Sequence, residues 1–254
     1  MKAYIKAVAY YLPETIVTND ELVAEFPEWT VEKIAEKVGV NKRHIAGNET
    51  ISSMAIKAAE KMFQENPAVK REDIDFVLVC TQSPDYFLPS TSCIIQNALG
   101  IPKTCGAFDF NLGCSGYEYG LATAKGYIAA GIAKNILLIT AEAYNKHIHP
   151  RDKGNRTIFG DAATATLISI GGFAEIGDFV LGTDGSGAKN LIVKTGGMAY
   201  PEKVNDLMFD EGGNPRSSDF LYMNGSEIFS FTLRVVPKMV KQTLEKNGLE
   251  KEDI

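Results

Sequence analysis

The sequence predicts an α/β protein organised around a parallel sheet, and three observations predict it. Three short apolar runs, 75–80 (DFVLVC), 106–111 (GAFDFN) and 135–140 (NILLIT), read as buried strands. The first and third are rich in Val, Ile or Leu, as central parallel strands are. Helical segments separate them. Pro89-Ser90 leads into TSCIIQNAL, and Cys114 leads into a longer helix reaching about Ala130. Strand–helix–strand–helix–strand at this spacing implies right-handed crossovers and parallel pairing.

The remaining elements follow in order. Thr18-Asn19-Asp20-Glu21 is a capping box opening a short helix, because a threonine hydroxyl and a glutamate three residues on satisfy each other's backbone donors. A second helix covers 30–37. A third, 51–63, places Ile56, Ala59 and Met62 on one face. After Thr140 comes a polar, irregular stretch, AEAYNKHIHPRDKGNRT, which ends in IFGDAATATLISI, where a glycine turn feeds a new strand. FAEIGDFVLGTDG and NLIVKTGG read as two more strands. A loop with Gly212-Gly213 and Pro215 precedes a helix from about Ser226 to Asn247.

One internal echo bears on organisation. AAEKMFQENPAVKREDIDFVLV is a helix, a turn, Glu-Asp-Ile and a buried strand. VKQTLEKNGLEKEDI is a helix, a turn and Glu-Asp-Ile again. The second reads as the opening of another copy of the first unit, and a helix of that kind needs a strand to pack beside. The expectation is that the sequence stops within a repeated fold and exposes apolar surface there.

Composition excludes several classes. With 254 residues, 45% apolar and 23% charged, the chain suits one large soluble domain or two medium ones. Its formal net charge of −6 offers no basic track for a nucleic-acid backbone. No apolar run is long enough to span a bilayer, so no membrane association is expected. The start, MKAYIKAVAYYLP, lacks a signal-peptide layout, because Lys6 interrupts it and no small-residue cleavage site follows. These features together predict a cytoplasmic protein. Cys80, Cys93, Cys105 and Cys114 show neither CxxC pairing nor metal-ligand spacing, so no metal site is expected. The first three read as buried small hydrophobes.

Cys114 stands apart. It lies in NLGCSGYEYGLATAKGYIAAG, where an apolar strand ends and a helix poor in bulky side chains begins. Glycines weaken a helix relative to alanine, so close packing must compensate. At a helix N-terminus, unpaired N–H groups and the macrodipole favour the thiolate form of a cysteine. Gly113 and Gly116 permit unusual φ and clear space for a substrate carbonyl, and a backbone N–H there would serve as an oxyanion donor. This is the layout of a nucleophile elbow with sulfur in place of oxygen. A buried thiol at a close helix contact is the competing explanation.

The sequence resembles β-ketoacyl-acyl-carrier-protein synthase III, of the thiolase superfamily, from Met1 to Ile254. The stretches that carry the likeness, in order, are VGVNKRHIA, TQSPDYFLPSTSCIIQNALGI, FNLGCSGYEYGL, TIFGDAATA, LGTDGSGAKNLIV and FLYMNGSEIF. The resemblance implies a five-layered α/β/α/β/α fold of two similar halves, usually a homodimer. The division it implies is an N-terminal half, 1–172, carrying the nucleophile, and 173–254 as the start of an incomplete second half. Cys114 falls on the family's acyl-accepting cysteine. The implied reaction is a decarboxylating Claisen condensation that starts fatty-acid or related polyketide chains. An acyl-coenzyme A primer loads Cys114, and malonyl-acyl carrier protein then condenses with it. Coenzyme A thioester is thus a substrate, with no permanently bound cofactor, and acyl-carrier protein is the partner.

The resemblance also assigns lesser positions. The tryptophan and two arginines that commonly hold coenzyme A in the family match Lys33, Lys37 and Lys153 here. Lysine attracts phosphate as a flexible point charge, without a bidentate fork. Either coenzyme A or a carrier protein, whose acidic surface suits lysines, is then an open choice as primer donor; a solvated role is the plainer reading of these lysines. Gly154, Met223, Asn224 and Gly225 match the coenzyme tunnel. Leu88 and Phe159 match the acyl pocket, Leu88 reaching across the dimer. Gly160 and Asp161 shape a turn. The family's catalytic histidine and asparagine match none of His44, His147 and His149, which read as surface or locally hydrogen-bonded residues. The expectation is a shortened form of a longer enzyme. The rivals are a condensing enzyme like 3-hydroxy-3-methylglutaryl-coenzyme A synthase, which does not decarboxylate, and a non-catalytic partner subunit or carrier-binding module.

Overall fold

The computed structural model describes residues 1–254. Strands β1 (Tyr4–Tyr11) and β2 (Thr15–Thr18) lead to helices α1 (Asn19–Glu25) and α2 (Val31–Val38), then to β3 (Lys42–Ile45) and α3 (Ile51–Glu65). Next come β4 (Phe76–Cys80), α4 (Thr91–Ala98), β5 (Gly106–Phe110), α5 (Gly116–Ala129) and β6 (Asn135–Glu142). A short α6 (Lys153–Arg156) precedes β7 (Ala162–Ser169) and β8 (Ala174–Glu175). The chain continues through β9 (Leu191–Ile192), β10 (Met208–Phe209), β11 (Pro215–Arg216), β12 (Tyr222–Met223) and α7 (Gly225–Asn247).

Six strands form one sheet in the order β5-β4-β6-β7-β1-β8. The three expected strands pair parallel, β4 lying between β5 and β6. The rest of the sheet corrects the all-parallel expectation, because β7 pairs antiparallel with β6 and β1, and β8 pairs antiparallel with β1. Val77 to Cys80 and Ile136 to Ile139 are buried without a break, as strands covered on both faces must be.

Helices cover the two faces for a topological reason. The β4-to-β5 connection moves one way along the sheet, and the β5-to-β6 connection moves back past β4. Crossovers of one hand running in opposite directions place their helices on opposite faces. Accordingly α4 joins α3 in the core with Val77, Val79, Leu137 and Ile139, while α5 packs against Leu138 and Cys80.

Local signals set the helix ends. Thr18 and Glu21 form the expected capping box. Thr30 caps α2, which ends at Gly39 with φ +72°. Thr50 caps α3, and Asp109 of β5 accepts both N–H groups at the start of α4. The buried face of α3 is rotated from the expected one. Ile51, Met54, Ala55, Ala58, Ala59, Met62 and Phe63 are buried, and Ile56 lies at the rim, packed against the core only in part. Alanines at 55, 58 and 59 let the helix settle close to β1 and β7.

The two strands expected after Ser169 shrink to β8 and β9. Glycines at 177, 182 and 185 interrupt the first run. Asp184 then accepts the Ser186 N–H and starts a 3-10 turn, Gly185–Asn190, where extension would have continued. The loop with Gly212 and Gly213 instead forms a hairpin of β10 and β11, with Gly213 at φ +72°.

The chain divides into two compact units. The first joins 1–17, 42–144 and 160–176, and holds the sheet with α3, α4 and α5. The second joins 18–41, 145–159 and 177–254. The internal echo is present in both. α3 ends at Asn66 and is followed by the 3-10 turn Arg71–Asp73, and α7 ends at Gly248 and is followed by Lys251–Asp253. Phe229, Leu233, Val236 and Val240, on one face of α7, are exposed.

Candidate active site

The site in the first unit begins where β5 ends. Phe110 closes the strand, and its carbonyl accepts the Thr81 N–H at 3.2 Å. The Leu112 carbonyl accepts the Cys80 thiol at 3.1 Å. The Gly116 N–H donates to the Gly113 carbonyl at 2.8 Å, which closes a turn around Cys114. Ser115 is the N-cap of α5, so Cys114 lies just outside the helix, not in its first turn. Cys114 is exposed.

The glycines of this turn act through space and not through φ. Neither Gly113 nor Gly116 has positive φ, which corrects the expected unusual backbone. A Cβ on Gly116 would lie 2.2 Å from Cys80 Sγ, and one on Gly120 would lie 2.6 Å from Leu138 Cδ1. The thin helix therefore sits directly on β4 and β6. Gly116→Ala is expected to cost about 1–3 kcal/mol by overpacking. Adding Cys80→Ala frees the space and should recover much of that loss; urea unfolding of the two single variants and the double variant checks the coupling.

The four thiols differ in environment. Burial pushes Cys80 and Cys105 up to about 11, partly offset by backbone hydrogen bonding at Leu112 for Cys80 and at Val77 for Cys105. Cys105 is only half-buried and Cys93 is exposed, which corrects the expectation that all three are interior. Cys93 turns outward on α4, between buried Ser92 and Ile95.

Gln82, Glu142 and Tyr144, which sequence reasoning did not single out, form a hydrogen-bonded group beside the turn. Glu142, at the end of β6, accepts from the Gln82 N–H and from Ser83 Oγ, both at 2.7 Å. Burial pushes its carboxyl up to about 7, against those hydrogen bonds, and the Asp161 charge adds to the rise. Tyr144 donates from its hydroxyl to Gln82 Oε1 at 2.7 Å. Burial raises Tyr144 from its usual range, with smaller contributions from Glu142 and Cys114. Asp161 has a structural place, as expected. Its carboxylate accepts the Ala46 N–H and its N–H donates to the His44 carbonyl, both at 2.8 Å. His44 Nδ1 meets the Pro13 carbonyl at 2.5 Å.

The second unit holds a cavity of about 450 Å³. Gly154, Met223 and Gly225, three of the tunnel residues implied by resemblance, line it together. Asn224 does not; its side chain caps α7 by accepting the Glu227 N–H. His149 lines the cavity edge-on to Phe220, and burial lowers it from the usual histidine range.

Lys153, beside Gly154, is held by Glu28 at 2.6 Å and by the Gly212 carbonyl at 3.1 Å. Lys33 lies 5.2 Å from the centre of the Trp29 ring, a contact not anticipated from sequence. Lys37 is exposed in the last turn of α2, where a cation complements the helix dipole. Phe159 is half-buried, and its carbonyl accepts from Asn145 Nδ2 at 3.3 Å. Leu88, in the first unit, is 82% exposed in the β4–α4 loop, next to exposed Tyr86 and Phe87.

The family model for 3-oxoacyl-[acyl-carrier-protein (ACP)] synthase III matches residues 108–185, which span the Cys114 turn. A β-ketoacyl-[acyl-carrier-protein] synthase III from Sulfurovum sp. is 37% identical over 99% of this chain and 72% of its own length. A crystal structure of a 3-oxoacyl-(acyl-carrier-protein) synthase III superposes with a TM-score of 0.95 at 46% identity, covering 100% of this chain and 77% of that one. A 3-oxoacyl-(acyl-carrier protein) synthase from Burkholderia xenovorans gives 0.87 at 36% identity, covering 99% and 71%.

Proposed function

The chain belongs to the β-ketoacyl-acyl-carrier-protein synthase III family, with its thiolase-like α/β fold, and from that premise we propose Cys114 as the nucleophile of its reaction. The function is that of a condensing acyltransferase that starts fatty-acid chains. The observation that carries the assignment of Cys114 is its exposure at the glycine turn that opens α5, while Cys80 and Cys105 are withdrawn and held protonated.

In the first half-reaction the Cys114 thiolate attacks the carbonyl of an acyl thioester. The tetrahedral intermediate collapses to an acyl-cysteine, and the donor thiolate leaves and takes up a proton. In the second, malonyl-acyl carrier protein loses carbon dioxide. The electron pair of the broken C–C bond stays on the α-carbon, which attacks the acyl-cysteine carbonyl. A new C–C bond forms and the Cys114 thiolate is released. Splitting the transfer through a covalent thioester divides one hard step into two easier ones.

The cavity of Gly154, Met223 and Gly225 suits the slim arm of the donor, with Asn224 holding the adjoining helix start. Lys37 and Lys153 meet its phosphates, on coenzyme A or on a carrier protein. Phe159 lines the acyl pocket, and Leu88 reaches across the dimer to close the pocket of the partner subunit. The exposed Tyr86, Phe87 and Leu88 suit a loop covered in a homodimer. The repeated helix and Glu-Asp turn support reading 1–172 and 173–254 as parts of two similar halves. No helix is long and apolar enough to cross a membrane. From the family likeness we place the protein in the cytoplasm, with no resident cofactor, metal or nucleic acid.

Product analysis tests the reading. Acyl-coenzyme A with malonyl-acyl carrier protein should yield carbon dioxide and β-ketoacyl-carrier protein in equal amounts. A condensation product formed without carbon dioxide would contradict it.

A further inference from the structure

Gln82 stands where β4, β6 and the Cys114 turn meet. The parallel register pairs Cys80 with Thr140, so two residues further on Gln82 and Glu142 lie level. The Gln82 N–H donates to Glu142 Oε1, and Ser83 Oγ donates to Glu142 Oε2, both at 2.7 Å. Ser83 Oγ also accepts the Ala143 N–H at 3.1 Å. The backbone of Gln82 is thereby pinned to the end of the sheet. Its side-chain oxygen lies 2.8 Å from where a Cβ on Gly113 would stand, and it accepts from Tyr144 at 2.7 Å. A side chain at 113 would push this oxygen aside and away from its place beside Tyr144.

A glutamine side chain has one acceptor oxygen and two donor hydrogens. Tyr144 occupies the oxygen and so fixes which way the amide is turned. The Nε2 hydrogens have no partner in the protein, and Gln82 is only half-buried.

We propose that Gln82 is a positioning residue for acyl transfer: held by Tyr144 and Glu142, it packs its amide against Gly113 of the turn that presents Cys114 and keeps that side of the turn neutral. The proposal rests on Cys114 being the nucleophile. Neutrality matters because a carboxylate of the same shape would oppose the thiolate.

The test measures alkylation of Cys114 by iodoacetamide from pH 6 to 10, located by peptide mapping. A Cys93→Ser background removes the other exposed thiol. Acyl loading from acetyl-coenzyme A is followed in parallel by intact mass. Gln82→Glu keeps the length and the acceptor for Tyr144 but adds a charge. It should move the alkylation midpoint up by about one pH unit and slow loading at pH 7 about tenfold. Tyr144→Phe, which removes one hydroxyl, should lower the loading kcat several-fold with KM unchanged. The midpoint shift reports that residue 82 lies close to the thiol, and the kcat loss of folded Tyr144→Phe at unchanged KM reports that the held amide matters for transfer; a merely structural role would leave that kcat in place. The proposal is overturned if that midpoint stays in place, or if both variants load at the wild-type rate. Wild-type protein whose Cys114 takes no acyl group would sink the nucleophile assignment instead, and the midpoint shift would still decide where Gln82 acts.

Discussion

Cys114→Ala is expected to abolish acyl loading and to lower condensation by at least about 10³-fold, the scale of losing a covalent nucleophile. The same change should leave stability within about 0.5 kcal/mol of wild type. Both halves follow from the structure. Cys114 is exposed, so removing its sulfur opens no cavity in the core. The turn around it is held by backbone groups and by Cys80, none of which depends on the Cys114 side chain. Cys114→Ser should fail nearly as completely, because a hydroxyl is a weak nucleophile unless a base activates it. Cys93→Ser, at the other exposed thiol, should load normally. Loading assays with thermal melts of the three variants separate lost chemistry from lost fold.

Glu142 should give the protein a distinctive dependence of stability on pH. Burial raises its folded-state carboxyl to about 7 from the ordinary 4.5. Between those values the folded protein holds a proton that the unfolded chain releases. Its contribution to stability is therefore fully present below about pH 4.5 and is lost as pH rises through 7. A shift of about 2.5 units corresponds to about 3 kcal/mol, of which about 2–3 kcal/mol falls between pH 5 and pH 8. Glu142→Gln cannot titrate, yet its side-chain oxygen can still accept from Gln82. Urea unfolding at the two pH values should show wild type losing about 2–3 kcal/mol more than the variant. Equal losses would mean that the carboxyl is not buried as described.

What the sequence made legible is local. The runs at 75–80 and 135–140 read as buried strands, and they form β4 and β6 at the centre of the sheet. Thr18 with Glu21, a capping pair three residues apart, announced α1. The string of small residues after Cys114 announced a helix that touches the sheet, and Gly116 against Cys80 and Gly120 against Leu138 are that contact. Family likeness picked out Gly154, Met223 and Gly225, which share one cavity although some 70 residues separate Gly154 from Met223.

What stayed hidden depends on pairing at a distance. Gln82 and Glu142 are 60 residues apart, and only the β4–β6 register places them level. Glu142 did leave a trace, as an acid closing an apolar strand, but nothing in the sequence says what it holds. The Glu28–Lys153 pair spans 125 residues and could not be read from charge pattern. The antiparallel side of the sheet was equally out of reach, because β1 meets β7 from the far end of the unit. The strands expected at 173–185 and 190–197 show the converse. Their apolar residues have β-propensity, but glycines and the Asp184 turn cut them to the two-residue pairings of β8 with β1 and β9 with β12.

The central claim is that Cys114 carries the acyl group. Brief incubation with acetyl- and longer acyl-coenzyme A, followed by intact mass and peptide mapping, tests it most directly. One acyl group per chain, on the peptide that contains Cys114, is the predicted result. Acylation on Cys93 alone, or well-folded protein that takes no acyl group from either coenzyme A or acyl-carrier protein, would contradict it.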